Sequence, residues 1–161
     1  MGVSAAGKST VGIALADVLG VPFADADSLH PESNRAKMAA GTPLTDEDRW
    51  PWLDVVGARF AEGAANGGLV MACSALRRVY RDRIRAAAPG VVFVHLHGSR
   101  ELLLTRAEAR TDHFMPATLF DSQLATLEEL DEDEAGFVVT VDREPEVLVQ
   151  ETIARLAQVA R

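Results

Sequence analysis

The feature that most restricts the fold lies at the start of the chain. Gly2-Val3-Ser4-Ala5-Ala6-Gly7-Lys8-Ser9 fits the pattern G-x-x-x-x-G-K-[ST], and an amphipathic stretch follows directly. Glycines let the backbone curl so that successive amides point inward at phosphate oxygens, and the helix that follows adds the positive end of its dipole. Lys8 is then placed to reach the outer phosphates and the Ser9 hydroxyl to ligate Mg2+, with Thr10 a possible second hydroxyl nearby. A chance match in a chain of 161 residues is on the order of one in 200 at average residue frequencies.

The rest of the chain alternates helical and strand-like segments. Val11, Ala14, Leu15, Val18 and Leu19 recur at helical spacing, so Ser9 to Leu19 reads as a helix stopped by Gly20. A strand is expected over Val21 to Ala24, helices over Pro31 to Ala40 and Asp48 to Ala65, and a buried strand over Leu69 to Cys73. Further helices are expected over Arg77 to Ala88, from Ser99 through Arg110, over Pro116 to Glu128 and over Glu144 to Ala160. Strands are expected at Val91 to His97 and Phe137 to Val141. This order predicts an α/β fold of the P-loop NTPase kind, a parallel sheet flanked by helices on both faces. Residues 1–161 read as a single domain with a helical lid region at about 106–130. The hydrophobic strand that normally feeds such a loop is missing ahead of Gly2. A chain lacking that first strand is expected to be truncated or misassigned at its start, because loss of an interior strand exposes ladder groups and core.

Composition narrows the partners. The net charge of -8 opposes binding to a phosphate polymer, so nucleic acid is not expected, and no apolar run is long enough to span a membrane. With no signal peptide before Lys8 and one cysteine, Cys73, in an apolar setting, a cytoplasmic location without disulfide chemistry is expected. Five arginines lie within Arg77 to Arg85 and nine acidic residues between Glu128 and Glu146. That split leaves room for a locally positive anion site; the acidic run Glu128 to Glu134 reads most simply as a solvated loop.

The phosphate acceptor must be sought outside the loop. Asp25 and Asp27 stand directly after the strand Val21 to Ala24, at the carboxyl end of a parallel sheet, where ligands bind in this class. One carboxylate could hold a metal-bound water while the other accepts a proton from an attacking hydroxyl. The apolar runs Leu69 to Cys73 and Val91 to Leu96 lead into Ser74 and His97 rather than into the aspartate of a Walker B motif, which favours a small kinase over a standard ATPase or GTPase.

Several blocks in order carry a more specific signal. They are the loop itself; Phe23 to Pro31 with Asn34, Lys37 and Met38; Gly41 to Leu53; Cys73 to Arg77 with Tyr80-Arg81-Asp82; Arg106, Arg110 and His113 to Pro116; and Ser122-Gln123. From Gly2 to about Val141 the chain resembles the gluconokinases of the thermoresistant type, small P-loop kinases. The resemblance implies transfer of the ATP γ-phosphate to the terminal hydroxyl of D-gluconate, with Mg2+. It implies Asp27 as base, Asp25 as the metal-linked carboxylate and Arg106 and Arg110 as charge brought to the transferring group. His30, Lys37, Arg49 and Arg81 are implied around the substrate, the loop with Ser122 and Gln123 around the nucleotide, and a homodimer as the assembly. For Arg49 a salt bridge to Asp46 or Asp48 is an equally good reading, and for Trp50 and Trp52 core packing is the better one.

The chain also departs from that pattern. Ala5 and Ala6 replace glycine and serine of the usual loop, and if position 5 needs positive φ, Ala5 costs about 1 kcal/mol. Asp112 and Arg77 stand where glycine and lysine are frequent. The competing readings are another small-molecule kinase of the shikimate kinase type and a nucleotide-binding module without catalysis.

Overall fold

The computed structural model describes residues 1–109 and 117–159, with side chains at all of these except 117–119. Chain order within them is α1 (Lys8–Leu19), β1 (Phe23–Asp25), a 3-10 turn (Ala26–Leu29), α2 (Glu32–Ala39), α3 (Asp46–Ala65) and β2 (Val70–Ala72). There follow α4 (Arg78–Ala87), β3 (Phe93–His97), α5 (Arg100–Glu108), α6 (Ala117–Thr126), β4 (Gly136–Thr140) and α7 (Pro145–Val159).

Local chemistry fixes the ends of these elements. Gly20, at φ 67°, turns its amide back to the carbonyls of Ala16 and Asp17 and ends α1. Helix α3 starts two residues before the expected Asp48, because Thr45 and Asp48 form a reciprocal capping box that satisfies the first-turn donors. Ser99 caps α5 by accepting from the Leu102 amide at 3.2 Å. The 3-10 turn after β1 was not expected from the sequence; Asp25 caps it by accepting from the Asp27 amide.

Strands pair in parallel, as the alternation predicts, with Phe23 opposite Val70 in β1–β2 and Phe93 opposite Gly136 in β3–β4. Helix α1 packs with α7, and α3 with α4, over two apolar clusters. One holds Val3, Ala6, Leu96, Phe120 and Val139; the other holds Trp52, Leu53, Val56 and Ile84.

The sheet is divided between β2 and β3. Strands β1–β2 and β3–β4 form separate pairs, and a largely apolar cavity of about 550 Å3 lies between β2 and β3, lined by Met71, Ala72, Val94 and Leu96 among others. Met1 stands at one end with strand-like bonds to β3: its amino group donates to the Val94 carbonyl and its own carbonyl accepts from the Leu96 amide at 2.9 Å. Just beyond β2, the Gly2 amide donates to the Ser74 carbonyl at 3.2 Å. Burial, helped by the nearby charge of Lys8, lowers the Met1 ammonium to about 5.

The acidic run after α6 differs from the expected solvated loop. Glu134 is buried and meets Arg81, whose guanidinium is fully covered, through two hydrogen bonds of 2.7 Å each. The remaining Arg81 donors reach the carbonyls of Ala75, Leu76, Glu128 and Glu129 at 3.0 to 3.3 Å. Burial pushes the Glu134 carboxyl up, but the Arg81 hydrogen bonds, the Asp131 amide and the charges of Arg81 and Arg78 together outweigh it and hold the group below its ordinary range. Asp131 and Asp133 do face solvent, where they pair with Arg78. Cys73 is buried and its thiol is pushed up to about 12, which leaves it inert. Among the described residues no helix is long and apolar enough to cross a membrane.

Candidate active site

The phosphate-loop sequence folds into a concave turn at the head of α1. Gly2, Ala5 and Gly7 take positive φ of 136°, 61° and 86°, so the backbone reverses hand repeatedly between Gly2 and Lys8. Such alternation turns successive amides toward one centre and forms an anion nest. Gly2 is required twice over, since a Cβ there would stand 2.7 Å from the Leu96 carbonyl oxygen. Val3 and Ala6 are buried and root the loop in the core. The Lys8 ammonium donates to the Val3 carbonyl at 2.8 Å, and Thr10 is exposed on the first turn of α1.

Strand β1 delivers the carboxylates to the same place. Asp25, its last residue, accepts from the Ser9 hydroxyl at 3.3 Å and from the Asp27 amide at 3.0 Å. The first turn of α1 and the end of β1 therefore meet at the Asp25 carboxylate. Asp27 is open to solvent, yet surrounding protein desolvates it and Asp25 repels its charge. Both raise its pKa, against the opposing pull of Lys8. A carboxylate so shifted is a better proton acceptor than an ordinary aspartate.

A second group of expected residues gathers around the start of α3. His30 is buried, stacked on Trp52 with ring centres 4.1 Å apart and planes inclined 16°, and shares a 3.3 Å hydrogen bond with Asn34. Burial, then the charges of Arg49 and Arg35, lowers His30 to about 4, so the ring is neutral at pH 7. Asn34 also donates to the Asp48 carbonyl at 2.8 Å, while Lys37 binds both Asp48 carboxylate oxygens at 2.6 and 2.8 Å. Arg49 donates to the Leu44 carbonyl at 2.5 Å and approaches the Tyr80 hydroxyl at 3.5 Å rather than bonding Asp46 or Asp48. Trp52 is buried and donates to the Ala26 carbonyl at 2.7 Å, as its reading as a core residue implies; Trp50 is half-buried, edge-on to Tyr80.

Other expected residues lie elsewhere. Arg81, expected at the substrate, is instead consumed in the core by Glu134, and its fully covered guanidinium offers no surface to a ligand. Arg106 is half-buried in the last turn of α5, whereas Arg110 and the block His113 to Pro116 lie outside the described residues. Ser122 is exposed on α6, and Gln123 reaches the phosphate loop, its side-chain oxygen accepting from the Ser4 amide at 2.7 Å. Sequence reasoning missed the Tyr80 hydroxyl, which donates to Asp46 at 2.5 Å while Arg77 holds the other Asp46 oxygen at 2.6 Å.

The donor set fits a cation carried in with a nucleotide better than a resident one. Among the described residues no group of three or more His, Cys, Asp or Glu is arranged to hold a metal ion. Ser9 and Asp25 bring two oxygens together beside the loop, so phosphate and water would have to complete a magnesium shell.

Comparison with known proteins identifies the relatives of the whole chain. Residues 4–157 match the family model described as shikimate kinase. The chain is 45% identical over 154 residues to a gluconokinase of Gluconobacter oxydans, covering 95% of this chain and 86% of that protein. A solved gluconokinase from Sinorhizobium meliloti superposes with a TM-score of 0.88 at 46% identity, covering 99% of this chain and 90% of its own. An unliganded sugar kinase from Janibacter superposes with a TM-score of 0.92, also at 46% identity, over 98% and 91% of the two chains.

Proposed function

Because the chain belongs to the gluconokinases within the wider shikimate kinase family of P-loop kinases, we propose that it transfers the γ-phosphoryl group of ATP to the terminal hydroxyl of D-gluconate. The products are 6-phospho-D-gluconate and ADP. The observation that carries this reading is the meeting of Ser9 and Asp25 at 3.3 Å with Asp27, its pKa raised, two residues further on.

Each residue has a distinct task. The amides of residues 2–9 and the α1 N-terminus bind the phosphates, and Lys8 turns its ammonium to the outer ones. Ser9 and Asp25 would hold Mg2+, which supplies charge neutralisation at the phosphate oxygens when bound. Asp27 accepts the proton of the substrate hydroxyl as its oxygen bonds to the γ-phosphorus; the bond from that phosphorus to the β–γ bridging oxygen breaks, and the electron pair leaves with ADP. Arg49 faces the sugar acid from the start of α3, with His30 behind it at the end of the turn after β1 and Lys37 held ready by Asp48, and an arginine fork suits the carboxylate. Arg106 and Arg110 bring positive charge to the transferring group, and Ser122 lies toward the nucleotide.

An ADP-release assay with gluconate, shikimate and several aldonic acids tests the reading. Turnover with gluconate far above the others is expected. Turnover with shikimate instead would move the chain to the other branch of its family, and nucleotide binding without turnover on any acid would make it a binding module.

A further inference from the structure

The contact between Gln123 and Ser4 joins two parts of the chain 119 residues apart, at a main-chain amide of the phosphate loop. Three observations show that α6 is built to deliver it. Phe120, one turn earlier, is fully buried in the cluster that also contains Val3 and Ala6 of the loop, and Leu124 packs against that cluster. Glu128, just past the helix, is tied down: its amide donates to the Leu76 carbonyl at 2.8 Å and its carboxylate accepts from the Arg78 amide at 2.5 Å. Arg100 pairs with Asp121 and secures the outer side of the helix. With its neighbours fixed, the half-buried Gln123 aims a neutral oxygen into a nest suited to an anion.

We propose that Gln123 is a positioning residue that stands in for a phosphate oxygen: it occupies the Ser4 amide while the loop is empty and yields it to a nucleotide phosphate. This rests on the nucleotide-binding reading of the loop and differs from a role as a nucleotide ligand. A carboxamide oxygen satisfies the amide without charge, whereas a phosphate oxygen makes the stronger, charge-assisted bond and displaces it. The exchange keeps the amide hydrogen-bonded with the loop empty or filled, makes Gln123 a competitor of the nucleotide, and lets α6 register whether the loop is filled.

Calorimetric titration of wild type, Gln123→Ala and Gln123→Glu with ADP and with adenosine tests the proposal, alongside hydrogen exchange at Ser4. Loss of the competitor in Gln123→Ala should tighten ADP about fivefold, the worth of one ordinary hydrogen bond. Adenosine binding should not change. Gln123→Glu places a carboxylate on the same amide and against the incoming phosphates, so ADP affinity should fall more than about tenfold, as a close like charge costs more than a neutral bond. The Ser4 amide should exchange slowly in the ligand-free wild type, quickly in Gln123→Ala, and slowly again with ADP. Weaker or unchanged ADP binding by Gln123→Ala, with its fold intact by circular dichroism, overturns the competitor role. Failure of the wild type to bind ADP at all would instead overturn the nucleotide reading beneath it.

Discussion

The phosphate loop and the acidic turn after α6 are both short, both rich in exposed main chain by sequence, and opposite in design. In the acidic turn, Arg81 places its donors on Glu134 and four carbonyls, so the charge is entirely used in holding structure together. In the phosphate loop, an alanine sits at φ 61°, one amide is held by a side chain from another helix, and the nearby Asp27 carries a charge its surroundings disfavour. A loop satisfied from within has nothing left for a ligand. One held in strain and by exchangeable contacts keeps its binding capacity, at a cost in stability.

The sharpest way to separate the two is to neutralise one charge in each. Asp27→Asn should lower kcat by about 10²- to 10⁴-fold, the usual worth of a positioned base, with ADP affinity nearly unchanged. The same change should raise the melting temperature. Asp27 has a raised pKa in the folded state, so its ionised form opposes folding at pH 7, and asparagine removes that opposition. A near-normal rate would remove Asp27 as the base. Arg81→Met should do the reverse, costing about 3–5 kcal/mol by stranding Glu134 in the core, while the double variant with Glu134→Leu recovers much of the loss. Urea denaturation of the single and double variants measures this, and additivity of the two changes would contradict the pairing.

A second difference lies in anchorage. The acidic turn is gripped on every side, whereas the phosphate loop springs from Met1 beside the cavity between β2 and β3. Adding five apolar, β-prone residues ahead of Met1 should give the loop a strand as its root. The strand would pair with both edges and fill the cavity, raising the melting temperature by about 5 °C or more, equivalent to roughly 2 kcal/mol in a chain of this size. An unchanged value in a thermal melt would show that the two strand pairs are complete without it.

Acid should also divide the regions, and with opposite signs. The pKa of Glu134 is lowered by folding, so its stabilising contribution is whole above its ordinary value of 4.5 and disappears as pH falls through the folded value. That of Asp27 is raised, so protonation as pH falls relieves the folded state even as it removes the proposed proton acceptor. The acid limb of a pH-rate profile should therefore lie above the ordinary carboxylate range and precede unfolding followed by circular dichroism. Coincidence of the two curves would contradict this order. Carbon NMR should show the Asp27 carboxyl titrating lower in Asp25→Asn, because the neighbouring charge contributes to its shift.

Much of this was legible in the sequence, where local chemistry decides the outcome. The G-x-x-x-x-G-K-S pattern located the loop, Gly20 the end of α1, and the alternation of segments the parallel pairing. What escaped depended on distant partners. Glu134 is one of a run of acids that individually look solvated, and its burial follows only from Arg81. That arginine did leave a trace, since Arg81, Ile84 and Ala88 share one helical face at spacings of three and four, which puts a guanidinium on an apolar stripe. The bond from Gln123 to Ser4 left no local pattern, because the residues are so far apart, although the family resemblance already set both around the nucleotide. The strain expected of Ala5 was conditional on its backbone, and the observed φ of 61° meets the condition.

That strain offers the finest test of the contrast, through two adjacent alanines. Ala5 and Ala6 are both buried, at 8% and 1% exposure, but only Ala5 lies in the left-handed region. Replacing either by glycine removes a methyl group, about 0.8 kcal/mol of burial, and adds about 0.5–1 kcal/mol of unfolded-state entropy. At Ala5 the change also relieves a Cβ clash of about 1–2 kcal/mol, so the terms nearly cancel and Ala5→Gly should leave stability within about 1 kcal/mol of wild type. No such relief exists at Ala6, where glycine should cost about 1–2 kcal/mol. Equal losses at the two positions in urea denaturation would mean that the loop holds residue 5 without strain, and that its openness to a ligand rests on exchangeable contacts alone.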